Sequence, residues 1–170
     1  MADNNKEVWL RGPLDHLTPI VQPVAHALMQ AQEEINELMI GFPDEYLWRR
    51  VAGLAAVGFH LQHIKGVISR LFTYAAAQQL NAEQLSYLKH EGVPDNTVTT
   101  IKLVQAINIQ IEEALHQLIQ ADAATLLQPR EVGRARLPST MLGLYVHAAE
   151  HTMRHLGQLL VTVKMLPVLQ

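Results

Sequence analysis

The chain has 170 residues, of which 49% are hydrophobic, 17% charged and 5% aromatic, which is material for one core and one domain over residues 1–170. Thirteen Lys and Arg against sixteen Asp and Glu give a net charge of −3, so no nucleic acid is expected as a partner, because neutralising phosphates takes concentrated positive charge. Zero cysteines exclude disulfides, thiolate metal sites and a cysteine nucleophile; no stretch reaches the ~20 apolar residues of a membrane span, and MADNNKEVWLRG lacks the pattern of a secretory signal, so a cytoplasmic location is expected.

Four long segments carry apolar residues at three-four spacing and none shows the two-residue alternation of strands, so the expected class is all-α. The first helix starts between Pro19 and Pro23, runs through Leu28, Ile35 and Leu38, and stops at Gly41-Phe42-Pro43. Asp44 to Arg50 has room for a helical turn. The second helix is expected from about Gly53 to Ala77, with Leu54, Val57, Leu61, Ile64, Ile68, Leu71 and Phe72 on its apolar side and His60 and His63 along it. Residues 78–95 then form a crossover in which NAEQL suggests a short helical turn capped by Asn81. A connection of that length lets helices two and three lie parallel. The third helix is placed from Asp95 to Thr97 onward, with Val104, Ile107, Ile111, Leu115 and Leu118. After a second long connection containing Arg130, Arg134 and Arg136, the fourth helix follows Pro138, capped by Ser139 or Thr140, and runs to about Leu166 before Pro167.

Nine histidines are the feature that asks for an explanation. The fourth helix reads HAAEHTMRH, which puts His147, His151 and His155 at successive i, i+4 positions, the spacing at which two imidazoles can hold one ion. Random placement of the histidines yields about half such a pair per chain, and solvated or hydrogen-bonded bundle histidines are the bland explanation. His147 and His155 lie ~12 Å apart along the axis, too far for one ion. Measured from the apolar stripe (Tyr145, Ala149, Thr152, Leu156, Leu159, Leu160, Val163), His155 lies at ~70°, His151 at ~110° and His147 at ~150°. The bundle-facing pair is therefore His151 and His155, and His147 faces water. For a third ligand the second helix offers His60, ~55° from its apolar centre, and His63, ~115° from it. The core alone favours His60, a site at the stripe's edge favours His63, and the angles leave the choice open. Glu112 and Glu113 read as a solvated face. The arginines of the second connection could take an anionic group, but solvation explains them better. No phosphate-binding glycine motif and no GxSxG elbow is present.

AAVGFHLQHIKGVISRLFTYA followed far downstream by HAAEHTMRHLGQLL resembles the DinB/YfiT-like family, classed as metalloenzymes. Its pattern pairs a histidine midway along helix two with His-x-x-x-His-x-Gly-Gln on helix four; here the second part is His151, His155, Gly157 and Gln158, and the first is Gln62-His63-Ile64. The resemblance implies a four-helix bundle in up-down-down-up order, with one divalent metal ion, often zinc or nickel, on His63, His151 and His155. It also implies a homodimer, in line with the low charge, and a low-molecular-weight thiol cosubstrate for a transferase or isomerase acting on a small-molecule substrate. Many members have no established reaction. The rival expectation is a non-catalytic metal-binding or helical interaction protein, with the ion structural or absent.

Overall fold

The computed structural model describes residues 6–166; Pro167, expected to end the last helix, and the first five residues of the opening segment lie outside it. Five α-helices account for most of the described chain: α1 (Gln22–Leu38), α2 (Val57–Ala75), α3 (Ala82–His90), α4 (Thr100–Ile119) and α5 (Met141–Met165). The second, third and fourth expected helices are thus α2, α4 and α5.

Each long helix forms where its apolar stripe and its ends agree. A 3-10 turn at Pro19–Val21 leads into α1, whose Pro23 sits in the first turn, where its missing N–H costs nothing. Val24, Ala25, Leu28, Ala31 and Ile35 form its buried face, and Gly41 turns the chain away with φ +68°. Another 3-10 turn occupies Asp44–Tyr46, within the segment expected to hold one. In α4, Leu103, Ile107, Ile111, Ala114 and Leu118 face inward; in α5 the inward set includes Leu144, Tyr145, Ala148, Leu156, Leu159 and Val163. These residues join one continuous core with Phe42, Leu47 and Leu126 from the connections.

Side-chain contacts fix the directions. Gln117 near the end of α4 donates to the Phe72 carbonyl near the end of α2 (2.9 Å), and Trp48, which lies over Gly58 at the start of α2, donates to the Asp95 carbonyl just before α4 (3.0 Å). Helices α2 and α4 are therefore parallel. Phe72 meets Tyr145 while His63 meets His151, so α5 runs against α2. Glu34, Glu37 and Leu38 line one groove with Leu156, Leu160 and Lys164, which makes α1 and α5 parallel. The order is up-down-down-up. A reciprocal amide pair between Asn36 and Asn108 (2.9 and 3.0 Å) registers α1 on α4.

Four boundaries differ from expectation. Helix α2 begins at Val57, leaving Leu54 in a turn where Ala52 and Gly53 both adopt positive φ. Helix α4 begins at Thr100, because the Asp95 carboxylate is taken by the backbone and hydroxyl of Thr97, and Thr99 caps the helix instead through Lys102 N–H. The expected turn after Asn81 is the nine-residue helix α3, held by a capping box between Asn81 and Gln84. The second connection contains a two-stranded antiparallel hairpin, β1 (Pro129–Val132) with β2 (Leu137–Thr140). Four-residue strands, one holding Pro138, are too short to show alternation in the sequence. Thr140 does cap α5, accepting from Gly143 N–H.

Candidate metal centre

Two helices running in opposite directions bring the histidines together. His60 and His63 project from the first half of α2, and His151 and His155 from the middle of α5. The ligating atoms of His63, His151 and His155 all lie within 4.8 Å of one another, and all three side chains are half-buried. His63 Nε2 is 3.0 Å from His151 Nε2, and the ring centres of His63 and His155 are 4.4 Å apart. His60 is almost fully buried, at 3% exposure, and its Nδ1 lies 3.1 Å from Nδ1 of His155. The angular reading was right that His60 faces the core. What it could not show is that His60 backs onto His155 while His63, at the stripe's edge, faces His151.

The arrangement around His63 comes from the crossover. Helix α3 lies against α2, its Gln84 donating to Thr73 Oγ1 (2.7 Å) and Tyr87 donating to the Gln62 carbonyl (3.1 Å). Gln62 in turn accepts from Gly92 N–H (2.7 Å). These contacts seat Glu91, just past α3, beside His63, where its carboxylate accepts from Nδ1 at 2.8 Å and pairs with Arg70. A neutral His63 held this way carries its proton on Nδ1 and presents the Nε2 lone pair toward His151 and His155. Phe59 stacks on the other face of the His63 ring, with centroids 5.1 Å apart.

Glu91 was missed by the sequence reading, and only Gly66 hinted at it. A Cβ on Gly66, in the interior of α2, would overlap the Glu91 and Arg70 side chains. Interior helix glycine marks a close approach, but not by what.

Burial disfavours the charged forms of His60, His151 and His155. Burial, then the neighbouring His63, pushes His60 down to about 4; burial with His63, His151 and His60 nearby pushes His155 to about 4; burial, then His63, His147 and Arg154, hold His151 below its ordinary value. Neutral imidazoles are the protonation state a cation requires. His151 Nδ1 is buried without a hydrogen-bond partner among the described residues, so its ring is held for what Nε2 meets. The donor set thus fits one divalent ion.

The depressed His60 value has a consequence for the metal-free protein. Unfolded, His60 takes its proton near 6.5 and folded only at about 4, so folding opposes protonation between those limits. The His60 share of stability should be constant above pH 6.5 and fall as pH drops toward 4, by roughly 3 kcal/mol. Urea midpoints of chelator-treated protein across that range check this; His60→Phe should make the fall shallower and leave the share of His155, which is held down to about 4 as well.

The other residues weighed from the sequence stand apart. His147 is exposed as expected, 3.3 Å from Glu150. With His151 these two form a second group of metal-ligating type, but Glu150 is already engaged by Arg154. Glu112 and Glu113 are exposed on α4. Arg130 donates to the Ala75 carbonyl at the far end of α2 (2.6 Å), and Arg136 pairs with Glu131 across the hairpin (2.5 Å), which are structural uses. Leu160, counted in the apolar stripe of α5, is 43% exposed.

The sequence model of the DinB superfamily matches residues 27–159. The chain belongs to the DinB superfamily. The DinB match runs from α1 into α5 and contains all three clustered histidines, and the bundle has the order that the resemblance implies. No curated protein matches the chain. Among the described residues of this DinB protein, no helix is long and apolar enough to cross a membrane.

Proposed function

We propose that this protein is a metal-dependent enzyme in which His63, His151 and His155 hold one divalent cation, zinc or nickel, and in which a low-molecular-weight thiol is transferred to a small electrophilic substrate. The observation that carries the reading is the convergence of three imidazoles from two helices within 4.8 Å. Such an ion, with positions open beyond three protein ligands, lowers the pKa of a coordinated thiol or water and supplies a nucleophile near neutral pH.

The chain's own residues have distinct parts in this. Glu91 fixes the His63 tautomer and is itself anchored by Arg70; His60 accepts from Nδ1 of His155 and so leaves Nε2 of that ring for the ion; His147 stays outside. Phe59 holds the plane of His63. With zero cysteines, the sulfur must come from the cosubstrate. Hydrolysis is the nearest variant of the same chemistry. The reading extends to a single domain over residues 1–170 acting in the cytoplasm as a homodimer, for which exposed Ile101 and Ile109 on α4 offer apolar surface.

The test is a transfer assay with zinc-loaded and nickel-loaded protein, a panel of low-molecular-weight thiols and 1-chloro-2,4-dinitrobenzene as electrophile. Turnover should require metal and disappear in His151→Ala. Equal rates with metal-free protein would refute the thiol-transfer reading and favour a non-catalytic metal-binding protein.

A further inference from the structure

A cleft of about 610 Å³ opens beside the histidine cluster, between the turn preceding α2 and the outer face of α5. Its volume is that of a small-molecule site. Its walls are apolar, from Leu54, Ala55 and Val161, and His60 lies at its inner end, 3.1 Å from His155.

One feature of these walls has no use within the fold. Gly157 stands in the interior of the 25-residue α5 with ordinary helical backbone, is exposed, and a Cβ built on it would meet nothing within 4 Å. Alanine would serve the helix better there, because glycine gives up more backbone freedom on folding. Neither packing nor φ accounts for the glycine, so the requirement comes from something that approaches α5 from the cleft.

The polar groups on the cleft are few: Arg154, Gln158, His60 and the buried Thr162. Arg154 pairs with Glu150 through Nη2, and its Nε and Nη1 take no hydrogen bond among the described residues. Gln158, one residue past Gly157, also has no side-chain partner among them. An arginine already half-neutralised by a carboxylate suits a monoanion better than a phosphate dianion.

We propose that this cleft binds a small molecule with an apolar body and one carboxylate, the body lying against Gly157 and Val161 and the carboxylate on Arg154 and Gln158. The assignment rests on the proposed function for what the bound molecule is there to do, and not for the binding itself.

The test uses 4-phenylbutyrate as probe and 4-phenylbutan-1-ol as its uncharged counterpart, titrated calorimetrically into the full chain with and without zinc. The carboxylate should bind saturably and at least fivefold more tightly than the alcohol, and Arg154→Gln should erase that difference. Gly157→Leu should weaken the carboxylate at least tenfold while zinc stoichiometry stays as in wild type. Should the leucine variant fold poorly, Gly157→Ala gives a second reading: a melting temperature raised by roughly 2–4 °C together with weaker probe binding. No saturable binding, equal binding of acid and alcohol, or unchanged binding in the Gly157 variants would overturn the proposal. So would a Gly157 variant that alters the oligomeric state and leaves the probe untouched, since the face would then belong to a second copy. Probe binding in a protein that takes up no zinc would defeat the metal reading and leave this one standing.

Discussion

Glu91→Ala is expected to destabilise the metal-free protein by about 3–5 kcal/mol, the range for removing one partner of a buried ion pair. Glu91 and Arg70 have side chains only 5% and 12% exposed, so the guanidinium that loses its carboxylate cannot recover full hydration. The same substitution leaves His63 Nδ1 without its acceptor, and loss of such an outer partner typically weakens metal binding 10- to 100-fold. Urea denaturation reads the first effect and metal titration the second. Glu91→Gln separates them, because the amide oxygen can still accept from His63 while the charge on Arg70 goes unanswered.

His151→Ala should abolish stoichiometric metal binding with little loss of stability, no more than about 1 kcal/mol in the metal-free state. The reason lies in what His151 lacks. Its Nδ1 is buried without a partner, and burial and like neighbours disfavour its charged form, so the folded bundle gains little from the ring beyond its 3.0 Å contact with His63. A residue that costs the fold and serves a ligand shows the trade between stability and function. Thermal melts beside metal content check both halves; a large drop in stability would mean that the ring is structural.

Much of this was legible in the sequence because helices announce themselves by period and end signals. The stripes of α1, α4 and α5, the Thr140 cap and the length of the crossover were enough for the class and for parallel α2 and α4. The pairing of His151 with His155 followed from angles on a single helix, which are local geometry. The choice between His60 and His63 did not, because it depends on which point of α2 faces which point of α5. Both histidines meet α5, one behind His155 and one in front of His151. The family resemblance, not periodicity, favoured His63. Glu91 was out of reach for a related reason: a carboxylate in a connection has no period, and its position follows from the docking of α3 through Gln84, Tyr87 and Gln62. The start of α4 was misplaced because Asp95, Thr97 and Thr99 are all good caps, and only the fold shows that Asp95 is spent on the preceding turn.

The most direct test of the central claim is calorimetric titration of chelator-treated His60→Ala and His63→Ala with zinc, and with nickel in parallel. The account predicts that His60→Ala still binds one ion per chain with affinity reduced 10- to 100-fold, on the order expected for a lost supporting hydrogen bond, and that His63→Ala shows no stoichiometric site. If His63→Ala keeps one ion per chain and His60→Ala loses it, the ligand assignment is wrong.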